Sequence, residues 1–308
     1  MRNLASSPPR RAARRSRIAL IALSLALIAL LALAPGALAF FTPESGGSAN
    51  ADSIDSLYKI TLYIALVIFV AVEGALAYAL YKFRARKGVV AAQIRGNTQL
   101  EVAWTVGAAL ILILLSVFTF AKLSSLRNPP NSGSTGDTLV GESGPLYASA
   151  ERNLPPNGKS LNIQVNGQQY LWRYTYPGGS NPDKLDAPYS YEEMVVPTDT
   201  TVTLDIVAQD VVHSWWIPQL GGKFQAVPGY HNYAWFKIHK PGVYKGQCAA
   251  LCGRGHARMI AVVKALPPAQ FDAWLANQKQ QIQQANAAAQ AARTKLGSQS
   301  GPGQVENP

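Results

Sequence analysis

Thr200-Thr201-Val202-Thr203-Leu204-Asp205-Ile206-Val207-Ala208 is followed, after Gln209-Asp210, by Val211-Val212-His213-Ser214-Trp215-Trp216-Ile217. Strand side chains point alternately to two faces, so the apolar/polar alternation in this stretch predicts short strands with one buried face. The same texture recurs at Leu161 to Val165, Gln169 to Tyr176, Glu193 to Val196, Asn232 to Ile238, Gly242 to Gln247 and Met259 to Lys264, with Pro, Gly, Asp and Asn between the runs. Many short strands at this spacing predict an all-β sandwich or Greek-key barrel over residues 161–266. Pro267-Pro268 then opens a helical stretch, Ala269 to about Arg293, whose second half is rich in Gln and Ala. Residues 267–308 thus read as a C-terminal helix with a disordered tail from Ser298.

Upstream of the β region the composition changes. Residues 124–160 are rich in Asn, Pro, Gly and Ser and read as a linker. Before them lie two long apolar segments, Leu57 to Tyr81 and Val102 to Leu123, each long enough to cross about 30 Å of hydrocarbon as a helix. The connection, residues 82–100, holds Lys82, Arg84, Arg86, Lys87 and Arg95 and no acidic residue, which places it in the cytoplasm. A hairpin of this kind puts residues 40–56 and the β domain together on the outer side. At the N-terminus, Arg10 to Arg17, the apolar run Ile18 to Ala34 and Ala37-Leu38-Ala39 have the layout of a secretory signal peptide over residues 1–39. A retained first membrane helix is the other reading of that run. Glu73 lies inside the first spanning segment, where a carboxylate is tolerated against protein or water; a contact with another subunit accounts for it.

The 308-residue chain has a formal net charge of +11. Its basic residues cluster beside the apolar runs: six of the 28 fall in the first 17 positions. From residue 124 onward there are 15 basic and 12 acidic residues, a net of +3. The basicity is therefore topological, and it leaves no basic stripe suited to nucleic acid.

Both cysteines and two of the four histidines belong to one constellation. Cys248-Ala249-Ala250-Leu251-Cys252-Gly253-Arg254-Gly255-His256-Ala257-Arg258-Met259 reads C-x3-C-x3-H-x2-M, and His213 stands upstream in Asp210-Val211-Val212-His213-Ser214-Trp215. Thiolate, imidazole and thioether make a soft ligand set that suits copper and not magnesium or calcium. Two thiolates on one tight loop can each bridge two metal ions, two imidazoles can cap one ion each, and a thioether and a backbone carbonyl can complete the two spheres. Three simpler readings stand beside this one. A disulfide is common for two exported cysteines, but it leaves His213, His256 and Met259 unexplained. Zinc accepts Cys and His, but thioether suits it poorly. A mononuclear blue-copper site leaves one cysteine unused. His231 and His239 fall outside the pattern and read as loop or surface histidines.

With these residues in view, the sequence resembles subunit II of cytochrome c oxidases over about residues 55–275. The resemblance rests on Asn97-Thr98-Gln99-Leu100-Glu101-Val102-Ala103-Trp104-Thr105, Gln169-Tyr170-Leu171-Trp172-Arg173-Tyr174, the His213 block and Gly246-Gln247-Cys248 through Met259. It implies a cupredoxin-like barrel behind a two-helix transmembrane hairpin, and a binuclear CuA centre as cofactor. The side-chain ligands would be His213, Cys248, Cys252, His256 and Met259, with the backbone carbonyl of Ala250. The implied partners are oxidase subunit I with its haem and copper, subunit III, cytochrome c as donor, and lipid of the cell membrane. The implied activity is electron transfer to subunit I for oxygen reduction coupled to proton pumping. Ala250 stands where the family carries a Glu that also binds magnesium, so that magnesium site is in doubt here. Tyr170 stands where the family's electron-entry tryptophan is common, so entry through Tyr170 with Trp172 behind it is the expectation. Glu101 matches a residue near the mouth of a proton pathway; an interfacial carboxylate without such a role is the alternative. A quinol oxidase subunit shares the architecture but lacks the copper ligands. A CuA subunit of a membrane nitric oxide reductase, or an exported copper carrier, would share the ligands, although a carrier would not need the hairpin. No C-x-x-C-H haem motif is present, so the donor would be a separate protein. Net charge does not predict docking of a lysine-rich donor, although Glu192-Glu193 offers a local acidic patch.

Overall fold

The computed structural model describes residues 42–85, 88, 90, 92–133, 153–178 and 187–299. The expected signal peptide, residues 134–152 of the expected linker and the last residues of the tail lie outside the described residues.

Two long helices come first, α1 over Ala49–Lys82 and α2 over Thr98–Arg127. Each contains a stretch long and apolar enough to span a membrane, and none of either stretch is buried within the chain. In water that exposure would be prohibitive; in lipid it is the stable arrangement, because helices satisfy their own backbone groups. The N-terminus of α2 is capped by the Asn97 side chain, which accepts from the Leu100 N–H at 3.2 Å. At 34 residues, α1 is about 50 Å long, well over the hydrocarbon thickness, so its first turns project outside the bilayer. Near that end Lys59 pairs with Asp55 one turn away, at 2.6 Å.

The β region holds ten strands: β1 Leu161–Gln168, β2 Leu171–Thr175, β3 Tyr189–Tyr191, β4 Glu193–Pro197, β5 Thr201–Ala208, β6 His213–Trp215, β7 Phe224–Ala226, β8 Asn232–Lys237, β9 Gly242–Gln247 and β10 Ile260–Leu266. A five-stranded sheet in the order β3-β2-β1-β5-β8 lies with a three-stranded sheet, β4-β10-β9, and a β6-β7 pair. Parallel pairing of β1 with β5 and of β4 with β10 is mixed with antiparallel neighbours. This is the membrane-anchored, all-β cupredoxin-like architecture that the sequence leads one to expect, and it ends in a helix, α3, over Pro268–Gln299.

Period-two patterning builds the core. Leu161, Ile163 and Val165 of β1 lie opposite Val202, Leu204 and Ile206 of β5, and all six are buried. Ala261, Val263 and Ala265 bury the matching face of β10. Trp215 stacks on Phe236 with ring centroids 6.2 Å apart, and its indole N–H donates to the Tyr174 hydroxyl at 3.3 Å. Phe271 and Leu275, one turn apart on α3, close one end of the core, with Trp274 edge-on to Tyr176 at 5.1 Å.

Strands β3 and β7, three residues each, are too short to show a periodicity, and the sequence reading misses them. It also places Tyr170 in a strand, whereas Tyr170 lies in the turn between β1 and β2. Val211 and Val212 likewise fall in the bend before β6 and are exposed. At the other end of the expected linker, α2 continues through Arg127, four residues beyond the apolar run.

The outer ends of both membrane helices are bonded to the barrel. Asn50 Nδ2 donates to the Trp235 carbonyl at 2.8 Å, and the Lys237 N–H donates to Ser48 Oγ at 3.1 Å. From the other side, Trp235 Nε1 donates to the Leu126 carbonyl at 3.0 Å. The segment leaving α2 continues the seam: the Thr201 N–H donates to Ser132 Oγ, and Thr201 Oγ1 donates to the Pro130 carbonyl at 2.7 Å. Strand β8 and the start of β5 therefore sit on the hairpin at a defined height.

Candidate metal centre

Three elements of the barrel bring the ligand candidates together. His213 opens β6, Cys248 follows β9, and Met259 precedes β10. Strands β9 and β10 are antiparallel neighbours with Gln247 opposite Ile260, so the loop from Cys248 to Met259 leaves and re-enters the sheet at adjacent positions. The Cys248 N–H closes it by donating to the Met259 carbonyl at 2.9 Å. The Ala249 N–H ties it to β6 through the Ser214 carbonyl, also at 2.9 Å. Inside the loop, a 3-10 turn over His256–Arg258 is held by Gly253 and Gly255 carbonyls.

Glycine is required where the loop docks. A Cβ on Gly246 would collide with the Trp216 carbonyl, which accepts from the Gln247 N–H at 3.0 Å. A Cβ on Gly255 would collide with the Tyr170 ring, so Tyr170 packs closely on the ligand loop. Gln169 reaches the same loop, donating through Nε2 to the Cys252 carbonyl at 2.6 Å.

The two sulfurs are 3.9 Å apart and both cysteines are free, far from the S–S bond of about 2.05 Å in a disulfide. Around them lie His213 Nδ1, 4.0 Å from Cys248 Sγ, and His256 Nδ1, 3.6 Å from Cys252 Sγ. Met259 Sδ is 3.9 Å from Cys252 Sγ, and the Ala250 carbonyl oxygen is 3.2 Å from Cys248 Sγ. His213, Cys248, Cys252 and Met259 are buried, and the His256 ring is at the surface side. The donor atoms of His213, Cys248 and Cys252 lie within 4.8 Å of one another.

This donor set can be tested against a metal. Two bridging thiolates with four terminal donors satisfy two four-coordinate ions completely. A single tetrahedral zinc would leave two of the six donors idle, the thioether and the carbonyl among the least suited to it. The set fits a soft metal, and it fits two ions better than one.

Asp210 lies in the His213 block, where the sequence alone assigns it no role. Its Oδ1 lies 2.9 Å from His213 Nε2, and the carboxylate also accepts from the Gln169 N–H at 2.7 Å and the Val211 N–H at 2.6 Å. Fixed by two backbone amides, it holds the imidazole with Nδ1 turned toward the thiols; this is the orienting pattern common behind metal-bound histidines. Burial pushes the Asp210 carboxyl up, but the His213 bond and the two amides more than offset this and hold it below the usual range. His213 is opposed by burial and raised overall by Cys248 and Asp210. Burial pushes the Cys248 thiol up, yet hydrogen bonds with His213 and with the backbone at Ser214 and at Ala250 bring it well below the ordinary thiol. Cys252 is driven the other way, by burial and then by the charge on Cys248.

The remaining sites fall as follows. Trp172 is fully buried and edge-on to His213, with ring centroids 5.8 Å apart. Tyr170 is half-buried outside it. Glu101 stands exposed in the first turn of α2, at the opposite end of the hairpin from the metal candidates. His231 and His239 are away from the cluster and pair with Asp205 and Asp199, each at 2.6 Å. Glu193 has Lys264 3.8 Å away, which dilutes the acidic patch at 192–193.

Residues 37–122 match the family model for the transmembrane domain of cytochrome c oxidase subunit II, and residues 183–266 match the model for its periplasmic domain. The probable cytochrome c oxidase subunit 2 of Rickettsia bellii is 30% identical over 240 residues, covering 73% of this chain and 79% of that one. This chain belongs to the cytochrome c oxidase subunit II family. The Synechocystis cytochrome c oxidase subunit 2 is 31% identical over 258 residues, covering 74% of this chain and 73% of its own length. Among solved structures, the periplasmic domain of subunit II of cytochrome oxidase from Bradyrhizobium japonicum is 28% identical, covering 40% of this chain and 95% of that one at a TM-score of 0.36. Membership of the family makes copper the metal to test in the cluster, and it makes the β domain the outer, periplasmic part of a membrane-anchored oxidase subunit.

Two measurements follow from the geometry. Replacing Asp210 by Ala frees the His213 ring, and copper affinity of the full chain should fall about 10- to 100-fold, read by competition with a chelator; unchanged affinity would show that Asp210 does not position the ligand. In the metal-stripped protein, thiolate ultraviolet absorbance should rise in two separate steps. The first belongs to the thiol lowered by His213 and lies on the acid side of the ordinary thiol range, and the second lies on its alkaline side. A single step at the ordinary thiol value would contradict the assignment.

Proposed function

We propose that this chain is the electron-entry subunit of a cytochrome c oxidase in the cell membrane, holding a binuclear CuA centre in its outer domain. The observation that carries the reading is the convergence of four donors, from His213, Ala250, His256 and Met259, on the sulfurs of Cys248 and Cys252, which lie 3.9 Å apart. When bound there, two copper ions would supply a one-electron relay between cytochrome c outside and the haem and copper of subunit I.

The chain's own residues serve that relay in three ways. The β9–β10 loop closure and the Asp210–His213 bond hold the donors in place, so little would move when the charge of the centre changes. Tyr170 lies on the loop and Trp172 lies edge-on to His213, which makes this pair the proposed aromatic route from a docked donor. The carboxylate that would hold magnesium is missing at Ala250, so this chain offers no magnesium ligand at that position. Subunit I, and subunit III beside it, are the proposed partners of the exposed apolar faces of α1 and α2. Glu101, on the cytoplasmic end of α2, is proposed to pass protons toward subunit I.

Cys252→Ser removes one of the two thiolates that would hold the copper pair. In the full chain, bound copper should drop from two ions to at most one, and in the assembled oxidase cytochrome c-driven oxygen uptake should fall at least tenfold. Retention of two coppers would overturn the ligand assignment. Glu101→Gln should slow proton uptake by the assembled oxidase while leaving copper content unchanged; unaltered oxygen-reduction and proton-uptake rates would remove the proton role.

A further inference from the structure

Gly167 is the second-last residue of β1, which lies between β2 and β5 in the five-stranded sheet. It stands opposite Trp172 on one side and Ala208 on the other. Glycine weakens the interior of a strand, and where it is found there it often marks a close approach of other groups. A Cβ built on Gly167 would lie 3.0 Å from His213 Cδ2, 3.2 Å from His213 Cγ and 3.0 Å from Trp172 Cζ3. Carbon atoms pack best at about 3.5–4.0 Å, so a methyl group here would be pressed by both rings at once. The missing side chain makes the slot in which the two rings meet.

The surroundings of the slot leave little freedom. Trp172 and His213 are both fully buried. Strand pairing on two sides holds the Gly167 backbone, and its carbonyl accepts from the Gln209 N–H at 3.2 Å. Two residues on, the Gln169 N–H donates to Asp210. The end of β1 is thereby fastened to the turn that carries Asp210, and it also faces the ring that Asp210 holds. His213 is bounded edge by edge. Its Nε2 lies 2.9 Å from Asp210, its Cδ2 edge faces Gly167, and Trp172 meets it edge-on. Nδ1, 4.0 Å from Cys248 Sγ, is the edge turned to the sulfurs. Turning the ring over about its Cβ–Cγ bond would break the Asp210 contact and present carbon to the sulfurs.

We propose that Gly167 is a positioning residue of the electron path: by carrying no side chain, it sets how closely Trp172 approaches His213 and the plane in which His213 offers Nδ1 to the metal. The inference rests on the reading of the cluster as a copper pair entered through Trp172. A side chain at position 167 wedges the two rings apart and turns His213 against its Asp210 contact. Trp172 is the other wall of the slot, so a smaller ring there gives the added methyl group a place to go and leaves His213 where it was.

The test uses the full chain with isotope-labelled histidine, first free of metal and then loaded with copper. In the metal-free chain, Gly167→Ala should shift the nuclear magnetic resonance signals of the His213 ring while those of His231 and His239 stay in place. In the loaded chain, copper affinity should fall about tenfold, as when a group that orients a metal ligand is lost, and the hyperfine coupling to the two coppers should become unequal. Against a Trp172→Phe background, the same Gly167→Ala change should move the His213 signals far less. A strand that is merely weakened would lower the unfolding temperature and leave the His213 signals of the folded protein unmoved; that result overturns the proposal, as does an equal shift in both backgrounds. Should Gly167→Ala alone not fold, Trp172→Phe is expected to restore folding, and no rescue overturns the slot. If the unaltered chain takes up no copper pair, the reading of the site fails and this inference with it. If the pair and the His213 signals are both intact in Gly167→Ala, only this inference fails.

Discussion

The loop from Cys248 to Met259 is closed by a backbone hydrogen bond between its own ends, and most of the structure can be read as support for that closure. Two antiparallel neighbours, β9 and β10, deliver the loop's ends to adjacent positions, and the Cys248 N–H to Met259 carbonyl bond completes the ring. The core behind it fixes the strands, and the Ala249–Ser214 bond brings β6, and with it His213, to the same place. Backbone bonds and a packed core thus determine the positions of the proposed donors. A centre built this way has little to rearrange on gaining or losing an electron, which suits a relay better than a site of chemistry.

The same economy governs the link to the membrane. The barrel is not tethered by a free linker alone: Ser48 and Asn50 before and within α1, and Leu126 at the end of α2, are bonded to β8. In the proposed reading electrons pass to a membrane-embedded partner over a distance that must stay fixed, and a domain bonded to its own anchor would hold the loop at a constant height for that step. The short polar contacts at this seam belong to the exported end of the hairpin, while the opposite end carries the basic residues that set its orientation.

Much of this was legible in the sequence because the signals were local. Spanning helices announce themselves by unbroken apolar length, and β1, β5 and β10 by alternation of residues such as Ile163, Leu204 and Val263. The C-x3-C-x3-H-x2-M spacing already confined four donors to one loop. What was hidden depends on contacts between distant segments. Asp210 sits three residues before His213 in plain view, but only the turn carrying Gln169 shows why its carboxylate is held. Tyr170 reads as a strand residue by pattern, yet it packs on Gly255, 85 positions away in sequence, and leaves the sheet to do so. Strands β3 and β7 exist because neighbours pair with them, and three residues carry too little pattern to announce that.

Six donors from one chain are proposed to hold two coppers that share an electron. The most direct measurement is the electron paramagnetic resonance spectrum of the copper-loaded full chain, taken together with its metal content. Two coppers per chain are expected, with a hyperfine pattern from one unpaired electron delocalised over two equivalent copper nuclei. A mononuclear copper spectrum with one metal per chain would contradict it.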